Sequence, residues 1–221
     1  MWIQTIILLI GITAKSVLSA PTIPIVEDVL PYAVGLIGGI IDRTSNAASS
    51  GIVTGMNIHG YITPGGPVFN FTGPLEEIIP QIQELYPDWD PTAPTPTTSE
   101  DPTKVKRYFQ NRPTCFKVVG WNTGRAGAYG QAAYLEALGE HTMCGAEARS
   151  CARTGCNQNS AVDLCNDRTT KVDITCPRVG RAAKEIAKDC LYIYNGEETT
   201  RGQWFDTTGY NVVVRKCLQQ L

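Results

Sequence analysis

The first 114 residues of this 221-residue chain contain no cysteine, and no C-x-x-C pair occurs anywhere in it. The second absence excludes the paired knuckles of a structural zinc site. Only two histidines are present, His59 and His141, so no histidine-rich metal or catalytic centre is expected. Charge is sparse and balanced, 19 Lys and Arg against 21 Asp and Glu. That composition excludes a strongly basic nucleic-acid binder and an acidic disordered tail. No apolar run reaches the ~20 residues of a membrane span. The length allows one or two domains and excludes both a peptide hormone and a large multidomain enzyme.

What is present is concentrated. All eight cysteines, Cys115, Cys144, Cys151, Cys156, Cys165, Cys176, Cys190 and Cys217, fall in the second half. An even number packed into half a chain predicts four disulfides, with no free thiol for catalysis and ~105 connectivities open to them. No metal and no cofactor are expected.

The first half reads as delivery. Ile3 to Ile12 is apolar apart from Gln4, Thr5 and Gly11, and Ser19-Ala20-Pro21 follows. This predicts a signal peptide over residues 1–19, with cleavage after Ser19 preferred to cleavage after Ala20. Residues 20–107 read as an acidic Pro/Gly-rich pro-segment or linker, and residues 108–221 as a cysteine-rich mature domain. Residues 87–102 are rich in proline and threonine, a linker composition. The pair Lys106-Arg107 after it predicts cleavage by a dibasic-specific protease. Charge divides at the same place: residues 21–107 carry 4 Lys and Arg against 10 Asp and Glu, and residues 108–221 carry 14 against 11. Asn70-Phe71-Thr72 is a glycosylation sequon at Asn70.

Neither hydrophobic period persists over residues 31–72, so that stretch is expected to be loosely structured. Leu75, Ile78, Ile79, Ile82 and Leu85 predict a helix over residues 74–86 in spite of Pro80. In the second half, Cys115 to Trp121 has strand composition. Ala128, Ala132, Leu135 and Leu138 predict a helix ended by Gly139. Residues 150–156 and 160–165 read as a strand pair around Asn157-Gln158-Asn159. Cys176-Pro177 opens an amphipathic helix through Cys190, with Arg178, Arg181, Lys184 and Lys188 opposite its apolar face. Residues 202–209 read as a loop, and Tyr210 to Cys217 as a strand. The order β-α-β-β-α-β predicts an α+β fold: a disulfide-stapled, four-stranded antiparallel sheet with both helices on one face.

Residues 151–167, Cys-Ala-Arg-Thr-Gly-Cys-Asn-Gln-Asn-Ser-Ala-Val-Asp-Leu-Cys-Asn-Asp, with Gly202-Gln203-Trp204-Phe205-Asp206-Thr207 and Tyr210-Asn211-Val212, resemble the small secreted cysteine-rich, effector-like proteins of filamentous fungi. The resemblance covers about the last half of the chain and implies an extracellular role with no known catalytic residue. The expected α/β sandwich and the dibasic junction also look like those of viral and fungal killer toxins.

Three function classes follow. The first is a secreted, non-enzymatic, effector-like protein that binds a host protein or extracellular surface, with Trp204 partly exposed and the cations Arg178, Arg181, Lys184 and Lys188 as candidate contacts. The second is a membrane-active or antifungal toxin using the basic helix face against anionic lipid. The third is a small ribonuclease-like hydrolase using His141 near Glu140, Glu136 and Arg149. A monomer without nucleic-acid partners is expected.

Overall fold

The computed structural model describes residues 53–93, 109–117 and 120–217. In chain order its elements are β1 (Val53–Gly60), β2 (Phe69–Gly73), α1 (Leu75–Leu85), β3 (Thr114–Cys115), β4 (Thr123–Gly124), α2 (Arg125–Ala137), β5 (Thr142–Ala146), β6 (Cys151–Arg153), β7 (Ser160–Asn166), β8 (Val172–Thr175), α3 (Cys176–Asp189), β9 (Leu191–Tyr194), β10 (Glu197–Thr200), β11 (Gly202–Phe205) and β12 (Tyr210–Lys216). The expected signal peptide and the pair Lys106-Arg107 lie outside the described residues.

Strand β7 is buried along its whole length, as a central strand with both faces covered must be. It pairs antiparallel with β12 from Tyr210–Asn166 to Lys216–Ser160 and with β6 on its other side. The period of two then sorts its side chains. Val162 and Leu164 enter the main core with Val212 and Val214, while Cys165 and Val213 form a small cluster with Cys151. Helices α2 and α3 both pack on the first of these faces. Ala128, Ala132, Leu135 and Leu138 are fully buried there, as are Val179, Ala183 and Ile186. Each large aliphatic side chain so placed contributes about 1.5–3 kcal/mol.

The sheet is larger than the four strands expected. Among the described residues it has nine strands in the order β3-β11-β12-β7-β6-β1-β5-β8, with β2 added beside β1. The physical reason is β1. Its first residues, Val53 to Gly55, pair in parallel with β6, and Asn57 to Gly60 pair antiparallel with β5, so the sheet continues past β6 instead of ending there. At the other end, Gly202–Phe205, read as loop, forms β11 beside β12. Of the first strand expected from Cys115 to Trp121, β3 takes up only Cys115, because Phe116 sits at φ 60° and leaves the extended region; residues 118 and 119 lie outside the described ones.

Over residues 53–93 this also corrects the expectation of a loosely structured segment before the cysteines; its remaining residues lie outside the described ones. Met56 and Ile58 of β1 and Leu75, Ile78 and Ile82 of α1 are at most 1% exposed and share one core with the helices of the cysteine-rich half. Pro80 is accommodated within α1 on its exposed side. All described residues belong to one compact unit.

All eight cysteines are paired, as Cys115–Cys190, Cys144–Cys176, Cys151–Cys165 and Cys156–Cys217. Two of these bonds fasten the ends of α3: Cys176 at its start to β5, and Cys190 just past its end to β3. Cys151 and Cys165 face each other directly across β6 and β7. None of the bonds reaches the first half of the chain, so residues 53–93 are held by strand pairing, packing and hydrogen bonds without a disulfide.

Candidate interaction surface

The residues singled out in the sequence do not converge. Trp204 is only 4% exposed. Its ring stacks on Phe109 with centroids 4.5 Å apart, and its indole N–H donates to the Gln110 carbonyl at 3.1 Å. It is a core residue, and the expectation that it is partly exposed is corrected. The alternation of β11 turns it to the core, where Phe109 covers it.

Each of the four cations of α3 is held by a carboxylate of the same fold. Arg178 donates to Asp206 at 2.6 Å, Arg181 to Glu140 at 2.8 Å, Lys184 to Glu136 at 3.2 Å and Lys188 to Glu185 at 3.5 Å. Arg178 also lies over the rings of Phe109 and Tyr210. Burial pushes the Tyr210 phenol up; the charge of Arg178 opposes this and that of Asp206 adds to it. The basic face is therefore largely neutralised, although its amphipathic spacing was read correctly.

His141 stacks on Tyr61 with centroids 4.8 Å apart, while the neighbouring Glu140 and Glu136 turn to Arg181 and Lys184. Arg149 occupies a turn at φ 55° and donates its backbone N–H to the Arg168 carbonyl. Asp163 is fully buried in β7. Its carboxylate accepts from Arg153 at 2.7 and 3.0 Å and from Arg215 at 2.7 Å. Burial works against the Arg153 charge, but the bonds to Asp163 and its negative charge outweigh it and hold the guanidinium above its ordinary range. Asn70 is exposed on β2, and Asn57 Nδ2 donates both to its side-chain oxygen at 2.7 Å and to the Thr72 hydroxyl at 3.0 Å.

The exposed aromatic surface lies away from Trp204, at Trp121, Tyr192 and Tyr194, which the sequence also offers as members of an aromatic platform. Strand β9 exposes Leu191, Tyr192, Ile193 and Tyr194, and Phe116 packs edge-on against Tyr192 with centroids 5.9 Å apart. Trp121 stands 69% exposed nearby. Arg201 ties the backbone of this region together, donating to the carbonyls of Phe116 and Gly120. The signal that finds β9 is Asn195-Gly196, whose φ values of 52° and 81° form a tight hairpin turn onto β10. Large apolar side chains grouped in solvent mark interaction sites more often than scattered ones do.

A cleft of about 490 Å³ lies apart from this surface, lined among others by Ile62, Leu85, Tyr86, Trp89 and Ala137. Trp89 donates its indole N–H to the Ala137 carbonyl at 3.1 Å. Among the described residues no helix is long and apolar enough to cross a membrane, and no group of three His, Cys, Asp or Glu is placed to hold a metal.

Comparison with models of known protein families, with curated proteins and with solved structures finds no match to this chain.

Proposed function

We propose that this protein is a secreted, disulfide-stabilised, effector-like interaction protein that binds a host protein or extracellular surface without catalysing a reaction. The observation that carries this reading is the exposed aromatic group of Phe116, Tyr192 and Tyr194, with Trp121 exposed as well, on a scaffold stapled by four disulfides. Four disulfides fit an oxidising, extracellular compartment, and buried aromatic anchors supply most of the energy of protein interfaces. The motif over residues 151–167, with its resemblance to secreted fungal proteins, points the same way.

Processing at Lys106-Arg107 then has a particular meaning. Because residues 53–93 supply a strand inside the sheet and part of the core, a cut there leaves two chains held without a covalent link. The working form retains the first segment, and does not consist of residues 108–221 alone.

The pairing of Arg178, Arg181, Lys184 and Lys188 with carboxylates favours this reading over a membrane-active toxin, whose basic face needs cations available to lipid. The test is a binding panel of host extracellular proteins and wall polymers against the secreted protein. At least one ligand should bind the native protein, and Trp121→Ala should weaken it at least about tenfold, as loss of an aromatic anchor does. No ligand sensitive to Trp121→Ala, together with a hydrolytic activity lost in His141→Ala, would replace this reading with the enzymatic one.

A further inference from the structure

Strand β9 is outermost in a three-stranded sheet of order β4-β10-β9, so among the described residues one of its edges has no strand beside it. The hairpin fixes which backbone groups line that edge. Tyr194 pairs with Glu197 beside the two-residue turn, and Tyr192 pairs with Thr199. In such a hairpin the turn-closing pair is hydrogen-bonded and the pattern alternates, so both tyrosines direct N–H and C=O toward β10. The Thr199 hydroxyl, donating to the Tyr192 carbonyl at 2.8 Å, lies on that side. Leu191 and Ile193 therefore present their backbone groups to the open edge.

None of the devices that keep strand edges apart interrupts Leu191-Tyr192-Ile193-Tyr194: there is no lysine, no proline, no charge and no bulge. All four side chains are exposed, from 39% at Leu191 to 58% at Tyr194. A lipid surface is a poor cover for this edge, because unpaired N–H and C=O groups do not enter hydrocarbon. An extended chain satisfies the backbone groups and the side chains together.

We propose that the cover is a second copy of this chain, with β9 pairing antiparallel with its counterpart about a two-fold axis at Tyr192. In that register Leu191 lies opposite the partner's Ile193, and Ile193 opposite the partner's Leu191. Both pairs exchange N–H···O bonds in each direction. The two Tyr192 side chains meet on one face at the axis, a position where aromatic pairs stabilise a sheet. The strand opposes no charge to itself. At roughly 200 Å² per aromatic side chain, Tyr192, Tyr194 and Phe116 with Leu191 and Ile193 expose about 500 Å² per copy, so two copies offer at most the ~1,000 Å² where specific interfaces begin. The interface is isologous and closes on itself, as symmetric dimers do. It rests on the open edge and the exposed side chains of β9; in the dimer Tyr192, Tyr194 and Phe116 are covered by the second copy, so a host partner would then be bound through other exposed residues such as Trp121.

The test is sedimentation velocity of the full secreted chain between roughly 1 and 100 µM. The native protein should shift from monomer to dimer over this range. Ile193→Lys places a charge on the open edge and should raise the dissociation constant at least about 30-fold. Ile193→Pro removes the outward N–H without touching a bond to β10 and should do the same. Ile193 is 54% exposed, so both variants should keep the native circular dichroism. If neither folds, hydrogen exchange at the Ile193 amide decides: protection that rises with protein concentration supports the dimer. A native protein that stays monomeric, a folded variant that dimerises like the native one, or protection independent of concentration overturns it.

Discussion

Gln131 donates its side-chain amide to the carboxylate of Glu76 at 3.2 Å and accepts a bond from the Thr154 hydroxyl at 2.9 Å. Gln131 and Thr154 are almost wholly buried, so this short chain joins α1 to α2 and to the loop after β6 in a place where an unpaired polar group is costly. The Leu75 backbone N–H also donates to the Thr154 carbonyl. Through these bonds the segment before the cysteines is seated on the cysteine-rich half.

Gly155, next to Thr154, has φ 141°, a conformation that side chains rarely adopt. A Cβ there would also meet the Glu76 carboxylate. Gly155→Ala is expected to destabilise the protein by about 1–3 kcal/mol, measured by urea unfolding. Adding Glu76→Ala should recover at most part of this, since it removes the clash but leaves the backbone strain and takes the acceptor from the buried Gln131 amide. Full recovery would show that the backbone carries no strain.

Asp163 is bonded by two guanidinium groups inside the fold. Asp163→Ala takes away the carboxylate that Arg153 and Arg215 share and should cost about 3–5 kcal/mol of unfolding free energy. A loss below about 1 kcal/mol would mean that the ion-paired cluster does not support the sheet.

Trp204 and Trp121 should separate by role. Trp204→Ala empties a stacked core position and is expected to cost about 3–5 kcal/mol. Trp121→Ala, at an exposed position, should leave the unfolding midpoint within about 0.5 kcal/mol of native while weakening partner binding. The reverse pattern in denaturation and binding would contradict the placement of both rings.

Asp90 accepts from the Thr92 hydroxyl at 2.7 Å and from its backbone N–H at 2.8 Å. These bonds, the hydroxyl foremost, hold its carboxyl below the usual range. A lowered value means that the stability from this turn is complete above the ordinary carboxylate pKa of about 3.9 and is lost as pH falls through the lowered one. Following the Asp90 carboxyl carbon by NMR should give a midpoint below about 3.9, and Thr92→Ala should raise it.

The helices were legible because their periods are long: α2 and α3 each bury the stripe that the spacing marks, and Pro177 and Gly139 sit where a start and a stop belong. The tight turn at Asn157-Gln158-Asn159 was legible from its residue types, and Gln158 and Asn159 both take positive φ. Strand β1 was not. Its inward residues, Met56 and Ile58, make only one alternation, and glycines flank them, so the pattern is too short to rise above its surroundings. Strand β1 forms a local pair with β2, but what builds it into the main sheet is pairing with β5 and β6 about 90 positions later, which no local window contains. Trp204 misled because an aromatic beside glycine looks like a loop anchor, whereas its partner Phe109 lies far back in the sequence. The exposed surface at β9 was readable from Asn195-Gly196 between apolar and polar residues. The ion pairs of α3 were not, because their partners Glu136, Glu140 and Asp206 come from other elements.

The claim on which the rest depends is that residues 53–93 belong to the same folded body as residues 109–217. The direct measurement is to cut the full chain after Arg107 and run it on native size exclusion without reduction, identifying each fraction by intact mass. The account predicts that both fragments travel together and separate only in denaturant, since no disulfide joins them. A fragment beginning at Tyr108 that emerges alone, with native circular dichroism and an unchanged unfolding midpoint, would contradict it.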